Sequence, residues 1–308
     1  MQNLRPGALR RLGLGFEQVH ERHPRLVYVS ASGWGQDGPL APQPGLDIMA
    51  QARSGLMSIT GHPQDPPTKV GVPVADLTCG LYAALAAVSA LRARESSGLG
   101  QHVDTSLFES AVSLQVWEAG TFFATGEPGQ RHGSAHQNGA PYQAVRTADG
   151  WVTVGANTDK TWAGLCRALQ LDRLFEDPRY AGAYERYQHR DELIADIEVT
   201  TRGLDTERIV ALLVRAGVPC APLADTTDAF TDEHLAARDF FWDAPHPQLG
   251  AVRQLGSPMR MSRSATRRDA AGPGLGADTG AVLAELGVGA AELDELCAAG
   301  AVAVEVRA

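Results

Sequence analysis

A chain of 308 residues is long enough for two hydrophobic cores, or for one large core carrying an insertion. With 44% hydrophobic and 20% charged residues, its composition is that of a globular protein rather than a disordered or fibrous one. A formal net charge of −9 argues against nucleic acid or an anionic membrane as a partner held by bulk attraction.

The most apolar stretch, Val72 to Leu91, contains Asp76 and many alanines, so a buried helix is expected there rather than a membrane span. Met1 to Gly7 lacks the apolar run of a signal peptide. Cys79, Cys166, Cys220 and Cys297 are widely spaced and form no CxxC pair, so neither a metal site nor a disulfide framework is expected. The expected location is the cytoplasm.

In chain order, Arg5 to Gly7 reads as a turn and Ala8 to Leu12 as a short helical stretch. Leu26 to Ser30 has the β-branched, apolar character of a strand, and the turn-rich Ser32 to Pro39 follows it. Asp47 to Met57 is predicted helical, and 62–68 a proline-rich loop. The clearest helix starts at Asp76, placed at the capping position, and runs through an Ala/Leu-rich body to Arg92 and Arg94. Ser97 to Gly100 ends it, Gln101 to Thr105 supplies a strand, and Phe108 to Phe123 a further helix. This alternation predicts an α/β fold with a largely parallel sheet.

Composition shifts at Gly126 to Ala140, read as a linker leading to an active-site loop. Asp149-Gly150 separates Gln143–Thr147 from Trp151–Val154, a hairpin signal. Helices are predicted at 160–169, 190–201 and 206–216, giving a smaller second domain. Loop and short strand material fills 218–275, and two short helices, Asp278–Leu286 and Glu292–Ala299, close the chain.

Asp76 has two readings. An aspartate at the head of an apolar helix caps it. The same backbone amides and helix dipole favour the ionised carboxylate, by about 0.3–1 kcal/mol at exposed sites, and would lower its pKa. An ionised carboxylate shielded from water can attack a thioester carbon. Spacing alone leaves both readings open.

Several stretches taken together resemble the class III CoA-transferases, the group of formyl-CoA and carnitine CoA-transferases. They are Asn3-Leu-Arg-Pro-Gly7 with Arg11-Leu-Gly13, Pro24-Arg-Leu-Val27, and Ser32-Gly-Trp-Gly-Gln-Asp-Gly-Pro39. Gly45-Leu-Asp47 with Gln51 and Gly55, then Pro73-Val-Ala-Asp76-Leu-Thr-Cys-Gly80, continue the pattern. Downstream come Gly98-Leu-Gly-Gln101, Pro141-Tyr142, Asp149-Gly150, Ala216-Gly-Val-Pro219 and His246-Pro247. Gly276, Val282-Leu283 and Leu286-Gly287 end it.

The resemblance implies an enzyme that transfers CoA from an acyl-CoA donor, with succinyl-CoA as the expected donor, to a carboxylic acid. Mixed-anhydride and aspartyl-CoA thioester intermediates would form on Asp76. It implies CoA contacts from Asn3, Leu4 and Arg11. Trp34 and Gln36 are added as pocket positions because they sit on a strand-to-loop turn, where α/β folds place ligands. The stretch Gly133 to Ala140 aligns with a mobile glycine-rich loop of the family but lacks its glycine run. Gln137, Asn138 and Gly139 are candidates for substrate contacts there, with a solvated linker as the alternative. His136 has no role in such chemistry. No tightly bound cofactor and no metal are expected, CoA being a substrate.

The implied fold is an open nucleotide-binding-type sheet with helices, its N-terminal strands missing because the family carries a further segment ahead of the Asn3 motif. The large CoA-binding domain would span 1–125, with the linker and active-site loop at 126–140. A small α+β domain at 141–222, a linker at 223–255 and a return to the large domain at 256–308 complete the scheme. The resemblance also implies an interlocked homodimer with no nucleic-acid or membrane partner. Two alternatives stand beside it. An α-methylacyl-CoA racemase would need a proton-shuttling histidine where Leu46 sits. An inactive CoA-binding or interaction protein would follow from the missing N-terminal segment.

Overall fold

The computed structural model describes residues 1–246, 248–266 and 269–304, so Pro247 of the His246-Pro247 motif lies outside the described residues. The chain separates into two compact units, Met1–Leu223 and Ala224–Ala308.

The first unit opens with α1 (Ala8–Arg11) and α2 (Phe16–Arg22) and enters strand β1 (Tyr28–Ser32). Three helices follow, α3 (Asp47–Ser54), α4 (Leu56–Ile59) and α5 (Val74–Ser97), before strand β2 (His102–Ser106). β1 and β2 pair in parallel from Tyr28↔His102 to Ser32↔Ser106, which makes the segment a strand–helix–strand crossover. Gln2 adds a parallel bridge on the far side of β1. Its N–H donates to the Val29 carbonyl (2.8 Å), and its own carbonyl accepts from Ala31 (3.0 Å). The expected parallel sheet is thus a strand pair with one bridging residue.

Two predicted helices are each broken in two. The 47–57 helix breaks at Gly55, whose φ of 91° closes α3 in the left-handed region that glycine tolerates. The 108–123 helix divides into α6 (Leu107–Ser113) and α7 (Val116–Thr125). Between them the Gln115 side chain donates back to the carbonyls of Ser54 (2.8 Å) and Ala111 (3.4 Å), tying the break to the end of α3.

The expectation of a buried helix over Val72–Leu91 needs correcting. α5 packs on α3, α6 and both strands, but it buries only Ala75, Cys79, Ala83 and Ala90. These fall on one face at helical spacing, and their small size lets the helix lie close to the sheet. The large residues Leu77, Leu81, Leu85 and Val88 recur on the opposite face and are exposed. By length and composition alone, α5 is also long and apolar enough to cross a membrane.

A separate core follows α7. β3 (Tyr142–Arg146), β4 (Trp151–Gly155) and, from the end of the unit, β5 (Cys220–Pro222) form an antiparallel sheet in that order. Between β4 and β5 come α8 (Asp159–Leu169), α9 (Asp172–Phe175), a short 3-10 turn (Pro178–Tyr180), α10 (Ala183–Gln188), α11 (Arg190–Thr201) and α12 (Thr206–Arg215). Val145, Val152, Trp162, Leu165, Leu193, Ile197 and Leu213 are buried together in this core. The predicted Asp149-Gly150 hairpin is present, and Asp149 Oδ1 also accepts from the N–H (2.9 Å) and hydroxyl (2.6 Å) of Thr206, anchoring the turn to α12.

The second unit contains α13 (Thr226–Phe230), α14 (Glu233–Ala237), the antiparallel pair β6 (Phe241–His246) and β7 (Gly250–Leu255), then α15 (Thr279–Glu285) and α16 (Ala290–Ala298). The last two match the predicted closing helices. α13 and α14 replace predicted loop. Each is one turn capped by a preceding aspartate, Asp225 or Asp232, too short to show an apolar period in sequence.

The two faces of α5 give opposite expectations. Ala83→Leu forces bulk between α5 and its neighbours and should destabilise by about 1–3 kcal/mol in urea unfolding. Leu85→Ala should change the stability of the monomeric chain by less than about 0.5 kcal/mol, because the side chain is exposed there. A tolerated Ala83→Leu would contradict the packing described.

Candidate active site around Asp76

The sequence places Asp76 at the capping position of its helix, and the structure corrects this. α5 begins at Val74, the capping position is Pro73, and Asp76 is the third helical residue. Proline has no side-chain oxygen to offer the first-turn amides. Asp47, at the start of α3, supplies one. Its Oδ1 accepts from the N–H of Ala75 (2.8 Å) and of Asp76 (3.2 Å), while its Oδ2 accepts from Gln51 Nε2 (2.6 Å). Gln51 Oε1 in turn accepts from the N–H of Val70 (2.9 Å), in the loop leading to α5. Gln51 is fully buried. One carboxylate and one buried amide therefore bind α3, the preceding loop and the first turn of α5 together.

The Asp76 carboxylate is exposed and accepts no hydrogen bond among the described residues. Its pKa is raised above the usual carboxylate value, first by desolvation and then by the negative charge of Asp47. The lowering expected from a helix N-terminus does not appear, because those amides serve Asp47.

A cavity of about 420 Å³ near the N-terminus is lined by Gln2, Arg5, Arg10, Phe16, His102 and Gln36, among others. Of the predicted residues Gln36 lines it, and Asn3, Leu4 and Arg11 do not. His102 stacks on Phe16 (5.1 Å between ring centres), and its Nε2 lies 2.9 Å from Ser30 Oγ, which also accepts from Gln2 Nε2 (2.9 Å). Asn3 and Leu4 follow Gln2 directly. Asn3 is exposed, and the Leu4 N–H donates to Gln2 Oε1 (2.8 Å). Arg11 lies on α1 beside Leu9 and Arg10 of the lining, exposed and without a carboxylate partner among the described residues. The Gln36 N–H donates to Asp104 Oδ2 (2.9 Å), and its buried Nε2 has no partner among the described residues. Trp34 does not line this cavity either. Its Nε1 donates to the Pro44 carbonyl (3.3 Å) and its ring meets Phe108 edge-on, so it buttresses the turn that leads to Asp47.

Of the loop candidates, Gln137 and Asn138 line a second cavity, of about 700 Å³, with Trp117, Glu118, His132 and Tyr187, and Gly139 does not. Gln137 Nε2 donates to Glu118 Oε1 (2.9 Å), the Asn138 N–H donates to His136 Nδ1 (3.3 Å), and Gly139 is buried. His136 itself stacks on Tyr142 (4.7 Å) and meets Trp117 edge-on, a packing role. Asp76 lines neither cavity. Among the described residues, no group of three or more His, Cys, Asp or Glu is arranged to hold a metal ion. Asp47 and Gln51 are the members of this site whose work sequence reasoning missed, though both stood in a recognised motif. The available signal was Pro73, which leaves a helix start in need of an acceptor from elsewhere.

Residues 1–279 match the model of CoA-transferase family III. An acyl-CoA transferase from Fusarium pseudograminearum is 34% identical over 292 residues, covering 94% of this chain and 64% of that protein. Succinyl-CoA–D-citramalate CoA-transferase from Chloroflexus aurantiacus is 33% identical over 277 residues, covering 90% of this chain and 69% of its own. The chain thus spans about two thirds of the length of these curated relatives. Among solved structures, a CAIB/BAIF family protein from Brucella suis superposes with a TM-score of 0.82 at 34% identity, over 92% of this chain and 74% of that one.

The raised Asp76 pKa carries a sign for stability. The folded state holds the proton more tightly than the unfolded chain, so ionisation at neutral pH opposes folding. Asp76→Asn should therefore melt slightly above wild type at pH 7, the gap being small because the group is open to solvent. The gap should close as pH falls through the Asp76 pKa. Equal melting at both pH values would contradict the upward shift from desolvation and the Asp47 charge.

Proposed function

The chain belongs to CoA-transferase family III, and on that premise we propose that it moves CoA from an acyl-CoA donor to a carboxylic acid through covalent intermediates on Asp76. The observation that carries the reading is the Asp76 carboxylate itself, exposed, accepting no hydrogen bond among the described residues and held on a fixed helical turn.

The chemistry balances without a co-reactant. The Asp76 carboxylate attacks the donor thioester carbon, forming a mixed anhydride and releasing CoA thiolate. The thiolate attacks the Asp76 carbonyl of the anhydride, releasing the donor acid and leaving an aspartyl-CoA thioester. The acceptor carboxylate attacks that thioester, giving a second anhydride and thiolate. Attack of the thiolate on the acceptor's carbonyl forms the product acyl-CoA and restores Asp76. No proton is transferred in the net reaction, so no general base is required. Water must be kept from each intermediate, since each one hydrolyses.

The same reading gives Arg11, a cation without an acidic partner among the described residues, to a CoA phosphate, and Asn3, Leu4 and Gln36 to further CoA contacts. Gln137, Asn138 and Gly139 are proposed to contact the acyl or acceptor group. We take succinyl-CoA as the donor from the relative named for it. Racemisation gains no support, because Leu46 has no group that exchanges a proton. A homodimer is part of the proposal, and the exposed apolar residues of α5 support a second chain covering them.

The test is transfer itself. Incubated with succinyl-CoA and a panel of carboxylic acids, the protein should form new acyl-CoA products seen by mass spectrometry, and Asp76→Ala should abolish them. Assayed across an elution followed by light scattering, activity should travel with the dimer. Turnover retained in Asp76→Ala, or confined to a monomer, would overturn the corresponding part of the reading.

A further inference from the structure

Two carboxylates converge on the first turn of α5, and the structure gives them different work. Asp47 reaches across from α3, 29 residues earlier in the chain, and takes the amides of Ala75 and Asp76 on a single oxygen. Its second oxygen is held by Gln51, whose other end fixes Val70 in the loop before Pro73. Gln51 has no exposed surface, so this linkage is a built feature of the interior.

We infer that Asp47 is the positioning residue of the reaction: it fixes the turn that presents Asp76 and, by occupying the backbone amides there, keeps the Asp76 carboxylate free of them. The inference rests on Asp76 as the nucleophile. A carboxylate that accepted those two N–H bonds would be a weaker base and a poorer nucleophile. Freed of them, and facing a second negative charge, Asp76 holds its electron pairs for the thioester. The charged and titratable groups on elements packed against α5 include Arg53 on α3, Tyr28 on β1, His102 and Asp104 on β2, and Glu109 on α6. Of these elements' groups, Asp47 is the one whose charge acts on the Asp76 carboxyl.

The cap and the charge can be separated. Asp47→Asn keeps an oxygen for the two amides and removes the charge, at the loss of the bond from Gln51 Nε2, which then faces an amide donor. Asp47→Ala removes cap and charge together. The Asp76 carboxyl can be titrated by carbon NMR in aspartate-labelled protein, identified by its loss in Asp76→Asn, which needs no turnover. In Asp47→Asn the Asp76 titration should move to lower pH. The acid limb of kcat/KM should move with it, while kcat falls several-fold and KM changes little. In Asp47→Ala, kcat should fall by about 100-fold, the order expected when a reacting group loses its placement.

An Asp76 titration unchanged in Asp47→Asn would overturn the inference, as would wild-type kcat in Asp47→Ala. If Asp47→Ala does not fold, Asp47→Asn still decides the matter. If Asp76→Ala retained transfer, the nucleophile reading would fail instead, and the titration would still report whether Asp47 acts on Asp76.

Discussion

The Asp47 carboxylate at the head of α5 is the contact on which the rest of the site depends. A helix that starts after proline has amides and no local acceptor, and in a protein such groups must find partners. Asp47 fills that need from a distant part of the chain, through bonds of 2.8 and 3.2 Å. In doing so it sets where α3 meets α5 and fixes the loop between them through Gln51 and Val70. Asp76 is left on a fixed turn with nothing among the described residues bonded to its carboxylate. The geometry that closes the fold is the same geometry that frees the reactive group.

The packing of α5 serves that arrangement. A face of Ala75, Cys79, Ala83 and Ala90 brings the helix close to β1, β2, α3 and α6, where larger residues would hold it off. Trp34 adds to the same support from the other side of the motif, holding the Pro44 carbonyl just ahead of Asp47. The large apolar residues of α5 face outward, a continuous surface that exceeds the scattered exposed leucines of a typical monomer.

Much of the architecture was legible in sequence, for physical reasons that differ by element. The hairpin at Asp149-Gly150 follows from local turn chemistry, and the structure strengthens it with the bond to Thr206. α11, predicted at 190–201, is found at those residues because its interior carries no breaker. Failures arose where a distant group decided the outcome. Asp76 looked like a cap because an aspartate commonly is one, and only Asp47, far away in sequence, displaces it. The break at 114–115 depends on Gln115 reaching Ser54. The burial of α5 was misjudged because composition reports how apolar a helix is, not which of its faces meets the core. Among the site residues, Gln36, Gln137 and Asn138 line cavities, and half-buried Trp34 donates to the Pro44 carbonyl.

The central claim is that the carboxylate left free by Asp47 becomes covalently loaded with CoA. The direct measurement is mass spectrometry of the protein incubated with succinyl-CoA and no acceptor, quenched in acid and digested. The account predicts the mass of CoA, joined as a thioester, on the peptide that carries Asp76, removed when an acceptor acid is added. Transfer proceeding with no such adduct, or with CoA on Asp47 in place of Asp76, would contradict it.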